Sequence, residues 1–417
     1  MGQYIIEGRN RLCGSVRVHG SKNSALPILA ACVAVGKPCV IHNCPDLSDI
    51  NSTVKILRSL GCEVHKNEGS VFVDSSRVSG VRISDDLMRE MRSSIIYMGA
   101  LLTARGEAVV SAPGGCDIGL RPIDLHLMAM KKLGVNVKES HGEIRCTVGK
   151  IKGGKVVLPF PSVGATENII LASVRGSGVT TVINAAREPE IVDLAMFLNS
   201  CGARISGAGE STVVIEGVER LYSTQYAIMP DRIVACTYMA AAAVTGSTII
   251  VDEVIPSHLV PVFSSFEQAG CRIEISGSKL RITAPEKLKA FGRIQTLPYP
   301  GFPTDCQAIM MSVASVSDGI TFINENIFEN RFRHAAQLRR MGADIYVQDK
   351  TAVVNGVEAL QGTLVYATDL RAGAALVVAG LCAEGRTAVD GICYIDRGYD
   401  SLAENLSALG AVIKRMD

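Results

Sequence analysis

No charge of either sign dominates this chain of 417 residues: 42 Lys and Arg stand against 41 Asp and Glu, a formal net charge of +1. No Lys/Arg tract is present either, which argues against a nucleic-acid surface and requires any basic site to be local. Paired cysteines are missing too. Thirteen cysteines are spread singly, with no Cys-x-x-Cys, and neither a signal-peptide pattern nor a disulfide framework is visible. A reducing cytoplasm is the expected compartment. Nor is there an uncharged apolar run of the roughly 20 residues that cross a bilayer, so no membrane span is expected. The longest such stretches, among them AGAALVVAGLCA at 372–383, read as core helices. The length exceeds what one hydrophobic core usually supports, and two domains are the expectation.

What the chain does have is a repeat. An amphipathic segment ends at a glycine followed by a short β-prone run at Gly61, Gly134, Gly202, Gly270, Gly342 and Gly410, at intervals of 73, 68, 68, 72 and 68 residues. A further helix stop precedes each, at Gly36, Gly106, Gly178, Gly246, Gly319 and Gly385, and leads into β-rich text such as AVVSA or STIIVD. Each unit reads helix, strand, helix, strand, strand. The last two strands close on turn-like pairs, as in VHKNEGSVFVD and RIEISGSKLRIT. Second helices such as DINSTVKILRSL, EIVDLAMFLNS and RFRHAAQLRRM are amphipathic and should face solvent on one side. First helices such as NSALPILAACVAV, RIVACTYMAAAAV and RAGAALVVAGLCA are apolar nearly all round and must be buried on every side. The architecture that follows is α/β: six similar units, grouped three and three, that wrap sheets and outer helices around buried helices.

Chemistry is concentrated in one loop and in the starts of the buried helices. In SAPGGCDIGLRPIDLHL, Cys116 stands among Gly114, Gly115 and Gly119, which let the backbone lie close to a ligand. Arg121 follows five residues on, and a nearby guanidinium favours the nucleophilic thiolate. The helix starts read GSKNS at Lys22 and Asn23, EMRSS at Arg92, PSVGAT at Ser162, PDRI at Arg232, FPTD at Asp305, and TDLRA at Asp369 and Arg371. Each start offers free backbone N–H groups and the positive end of a helix dipole, a setting for anions. Together with Arg121, Arg331 and Arg397 on nearby loops, these cations point to a cleft between two domains that holds a substrate with several phosphate or carboxylate charges. Asp305 is the carboxylate among them suited to take a hydroxyl proton.

The motifs GSKNSALPILAA, PGGCDIGLRPIDLHL, SVGATENI, NAAREPEIVDLAMFL, PDRI, FPTDCQA, FENRF, TDLRA and YIDRGY resemble those of the enolpyruvyl transferases, over essentially the whole chain. The resemblance implies an inside-out α/β barrel fold in two domains, residues 22–229 forming one and residues 1–21 with 230–417 the other. It implies transfer of the enolpyruvyl group of phosphoenolpyruvate to the 3′-hydroxyl of UDP-N-acetylglucosamine, with release of phosphate and no metal or organic cofactor. The sister branch that acts on shikimate 3-phosphate differs around the thiol loop. By position, the resemblance assigns Lys22, Arg121 and Arg397 to the phosphate and Arg331 and Arg371 to the donor carboxylate. Asn23 and Asp305 meet the acceptor sugar, and Pro122, Ile123, Asp124 and Leu125 hold the uracil. Ser162, Val163 and Gly164 take the diphosphate region with Arg92, Asp369 belongs to the substrate-binding set, and Ile327 fills a position near the sugar where the family often has Val.

Two departures stand out. Where the family often has Lys, this chain has PFP ahead of Ser162 and Ser48 in NCPDLSDI; the change ahead of Ser162 leaves one fewer cation for the diphosphate. In the implied mechanism Asp305 accepts the hydroxyl proton, Cys116 supplies a proton to C3 or traps the donor covalently, and Lys22 and Arg397 serve the departing phosphate. A rival reading is a thiol hydrolase that pairs Cys116 with His126 as its base. A non-catalytic scaffold would be expected to lack Cys116 or Asp305.

Overall fold

The computed structural model describes residues 2–111 and 123–417. Cys116, Arg121 and Pro122 lie outside the described residues. The fold is mixed α/β, and the described strands gather into six small sheets, five of four strands and one of three.

The first repeat shows how residues become elements. Ser21 caps the helix Lys22–Val35 by accepting the Ser24 N–H, and Gly36 ends it at φ 67°, returning its own N–H to the Cys32 carbonyl. Strand Pro38–His42, helix Ser48–Ser59 and the hairpin Glu63–Asn67 with Ser70–Asp74 complete the unit, with His65 opposite Phe72 across the last pair. The expected stops at Gly61, Gly134, Gly202, Gly270, Gly342 and Gly410 all have φ between 84° and 102°, where only glycine is unstrained. Of the earlier stops, Gly178 alone does not take positive φ; its glycine serves close approach, since a Cβ there would lie 2.1 Å from the Lys152 carbonyl oxygen.

The structure adds an element to the expected unit. Five sheets carry a short parallel strand beside the first strand of the repeat: Thr224–Ala227, Gly154–Val157, Ser15–Arg17, Arg293–Gln295 and Leu364–Tyr366. Runs of three or four residues are too short for an alternation to register. In the remaining sheet, Glu107–Ser111 has only the isolated parallel bridge from Arg82 to Val109 in that place. The last repeat also differs, because its hairpin is closed from the other end of the chain. Strand Gln3–Glu7 runs antiparallel to both Arg386–Asp390 and Val412–Met416.

Residues 20–111 with 123–229 form one compact unit, and residues 2–19 with 230–417 form another. In the first, the helices Lys22–Val35, Tyr97–Arg105 and Val163–Ser173 pack on one another inside a single apolar core. In the second, Arg232–Val244, Thr304–Ala314 and Leu370–Cys382 do the same in their own core. These are the helices whose all-round apolar text predicts burial, and residues such as Leu29, Met239 and Leu376 have no exposed surface. Segment 372–383 accordingly lies in a core helix and its end, and no described helix is long and apolar enough to cross a membrane.

Candidate active site

In the unit of residues 20–229, the starts of two of the packed core helices carry sequence-predicted site residues. Lys22 is the first residue of its helix and is buried, with Nζ 2.6 Å from Oδ2 of Asp49, which is buried in the first turn of helix Ser48–Ser59. Asn23 beside it is half-buried. At the start of helix Val163–Ser173, Ser162 accepts the Ala165 N–H, and Ser162, Val163 and Gly164 all keep partial exposure. The first turn of that helix presents donors to which an anion can bind.

Against Gly164 lies His126, and a Cβ on Gly164 would come within 3.0 Å of the imidazole Cε1. Asn168 fixes the ring. Its Oδ1 accepts the Gly99 N–H at 2.7 Å, so its amide nitrogen is the atom that donates to the Ile95 carbonyl and to His126 Nδ1, at 3.1 and 2.8 Å. The imidazole proton therefore resides on Nε2. Burial, aided by the Arg92 cation, brings the His126 pKa down to about 4. Arg92 is itself half-buried, and that burial lowers its pKa. Ile123 and Leu125 pack against the core, whereas Asp124 is exposed at the first position of helix Asp124–Lys132.

In the other unit, three sequence-predicted residues come together. Asp305, second in helix Thr304–Ala314, accepts a hydrogen bond from Arg331 Nη2 on Oδ1 at 2.7 Å and one from Arg371 Nη2 on Oδ2 at 3.1 Å. Both arginine side chains are only 3% exposed, against 27% for Asp305. Arg371 also reaches the Tyr399 hydroxyl, which bonds to Thr237, and its guanidinium stands over the Tyr399 ring. Burial alone would lower the Arg371 pKa, but Asp305, Tyr399 and Asp231 outweigh it and raise the value further. Arg331 stacks its cation 5.5 Å from the Phe328 ring centroid.

Asp369 has a structural task, since its Oδ1 accepts the N–H groups of Arg371 and Ala372 and so caps helix Leu370–Cys382. Ile327 sits on a loop held by Glu325. That buried carboxylate accepts the N–H groups of Ile327 and Phe328 and the hydroxyls of Thr296 and Thr304. Arg397 ends the short helix Ile392–Arg397 and is half-buried. Asp49, Asn168 and Glu325 are the supports that sequence reasoning missed. In the sequence each looks like an ordinary helix or loop polar residue, and only packing reveals which cation, ring or loop it holds.

The model of the EPSP synthase (3-phosphoshikimate 1-carboxyvinyltransferase) family matches residues 6–406, and the chain belongs to this family of enolpyruvyl transferases, as its motifs imply. Within it, the UDP-N-acetylglucosamine 1-carboxyvinyltransferase 2 of Caldanaerobacter subterraneus subsp. tengcongensis is 51% identical over 416 residues, covering 100% of both chains. That of Carboxydothermus hydrogenoformans is 46% identical over 418 residues, again covering 100% of both. Among solved structures, the enolpyruvyl transferase NikO from Streptomyces tendae superimposes with a TM-score of 0.89 at 27% identity, covering 100% of this chain and 99% of its own. An EPSP synthase from Acinetobacter baumannii, at 18% identity and a TM-score of 0.76 over 100% of both chains, shares the fold.

Proposed function

We propose that this protein transfers the enolpyruvyl group of phosphoenolpyruvate to the 3′-hydroxyl of UDP-N-acetylglucosamine and releases phosphate, the first committed step of peptidoglycan synthesis. The observation that carries this reading is Asp305 lodged on two buried guanidiniums, in a chain about half identical to two transferases of that name. A base for a hydroxyl and a cationic pair for a carboxylate are what addition of an alcohol to an enolpyruvate requires. Asp305 takes the 3′-hydroxyl proton as the oxygen bonds to C2 and Cys116 supplies a proton to C3; the tetrahedral intermediate then expels phosphate as a C3 proton returns to the Cys116 thiolate, which restores the carbon–carbon double bond.

Lys22, Arg121 and Arg397 hold the phosphate, and Arg331 and Arg371 the carboxylate. Asn23 orients the sugar, with Ile327 near it, and Pro122 to Leu125 hold the uracil. The half-buried start of helix Val163–Ser173, with Arg92, receives the diphosphate. Each three-sheet unit is an inside-out α/β barrel, with sheets outside and helices inside, and the enzyme works in the cytoplasm. A hydrolase that uses His126 as its base is disfavoured, because an imidazole with a pKa of about 4 is a weak proton acceptor near neutrality.

Phosphate release from phosphoenolpyruvate, measured with UDP-N-acetylglucosamine and separately with shikimate 3-phosphate, tests the assignment. Release with the nucleotide sugar is expected. Activity with shikimate 3-phosphate alone would overturn it.

A further inference from the structure

The carboxylate set of the second unit has more donors than it uses. Arg331 and Arg371 each give Asp305 one Nη2, while the Nε of each, also buried, makes no hydrogen bond to a described residue. An unmet buried N–H is costly, and an anion that satisfied it would recover that cost. The other charged groups nearby do not serve. Asp231 and Asp369 are engaged in capping, their Oδ1 atoms accepting helix N–H groups. Tyr399 faces Arg371 as a neutral hydroxyl held protonated chiefly by burial, and His334, which lies near Arg331 and Asp369, is likewise held neutral by burial. Cys236 and Cys306 beneath the set are fully buried thiols. Among the described residues, Asp305 alone places both carboxylate oxygens on the two guanidiniums, and of the three side chains it is the one that solvent reaches.

We infer that Asp305 is a resident stand-in for the carboxylate of the donor. In the ligand-free protein it occupies the guanidinium pair. The incoming carboxylate takes its place, and that exchange releases Asp305 to act as base. This rests on the reading above for the identity of the donor. No covalent bond changes in the exchange; one carboxylate replaces another on Arg331 and Arg371. A carboxylate held by two guanidiniums is stabilised in its ionised form and is a poor proton acceptor, and it becomes a better one when it leaves them. The acceptor hydroxyl is thus deprotonated only when an electrophile is already bound.

The probe is phospholactate, which carries the carboxylate and phosphate of the donor without its double bond, with inorganic phosphate as the control. In calorimetric titrations, Asp305→Asn should bind phospholactate about tenfold more tightly than the wild type, the scale of one charge-assisted hydrogen bond recovered. Its affinity for inorganic phosphate should stay within about twofold. Unchanged or weaker phospholactate binding would overturn the inference, as would equal tightening for both ligands, which would mean only that a negative charge had been removed. A second measurement needs no variant. At about pH 5, wild-type protein titrated in buffers of different ionisation enthalpy should take up protons on binding phospholactate, beyond the ligand's own titration, as the freed Asp305 gains basicity. No uptake sinks the proposal. A protein that transfers the enolpyruvyl group yet fails these titrations keeps its function and loses this inference. One that gains carboxylate affinity without any transfer keeps the exchange and loses the assigned reaction.

Discussion

Burial turns two histidines of this protein into acid-sensitive contacts. His126 and His334 are both held at about 4, burial being the larger cause in each. Between about pH 6.5 and 4 the unfolded chain therefore binds more protons than the folded one. Their contribution to stability is whole above pH 6.5 and is lost as pH falls, each removing up to about 1.4 kcal/mol per pH unit across that window. Urea midpoints measured from pH 7.5 down to about 4.5 should decline, and the decline should be shallower in His126→Gln, which cannot take up the proton. A parallel decline in the variant would count against His126. Cys116 can be tested by separating its two roles. Cys116→Asp keeps a protonatable group but is a far poorer nucleophile, so it should retain measurable turnover while escaping alkylation by an epoxide phosphonate such as fosfomycin. Cys116→Ser should lose most turnover, because a hydroxyl is too weak an acid. An Asp variant that was inactive, or still alkylated, would remove Cys116 as proton donor.

Among elements, a tight fit joins the helices Tyr97–Arg105 and Val163–Ser173. A Cβ on Gly99 would stand 2.4 Å from the Asn168 carbonyl oxygen and 2.8 Å from its Oδ1. Gly99→Ala must push the helices apart and break the Gly99 N–H bond that orients Asn168 and, through it, His126. We expect a loss of about 1–3 kcal/mol in stability from overpacking. The KM for UDP-N-acetylglucosamine should rise more than kcat falls, since the disturbed ring lies at the start of helix Val163–Ser173, the proposed diphosphate site. Equal KM values would detach Gly99 from the site.

Helices and hairpins were legible because glycine at fixed intervals takes positive φ and because all-round apolar text has only one stable place. The parallel strands Ser15–Arg17 and Leu364–Tyr366 were not, for each is three residues long and owes its conformation to the neighbour it pairs with. The text RFRHAAQLRRM predicts a longer helix than forms, since only Ala335–Arg340 is α-helical; Arg331 lies ahead of it with its side chain drawn to Asp305. Among the candidate site residues, charge at helix starts points to Lys22, Arg371 and Asp305. Their partners required three dimensions: nothing in NCPDLSDI marks Asp49 as the carboxylate that holds Lys22.

For the whole molecule, the two units differ in how they are closed. Every described strand of the unit spanning 20–229 pairs within that span, including Thr224–Ala227 beside Pro38–His42. The unit containing 230–417 needs Gln3–Glu7 and Ser15–Arg17 to finish two of its sheets. A fragment of residues 20–229 is therefore expected to unfold cooperatively on its own, whereas residues 230–417 should show poorly dispersed amide resonances until a peptide of residues 1–19 is added. Independent folding of 230–417 would show that those two strands are dispensable.

The same closure sets a schedule during synthesis. Strand Gln3–Glu7 leaves the ribosome long before its neighbours Arg386–Asp390 and Val412–Met416. At about 5–20 residues per second, the interval from Glu7 to its partner Arg386 lasts roughly 20–80 s. Meanwhile the segment 20–229 can complete its own core, and a strand bearing Tyr4 and Ile6, both buried in the finished protein, waits with its edges open. Slower translation of the second half lengthens the time in which that strand can find the wrong partner.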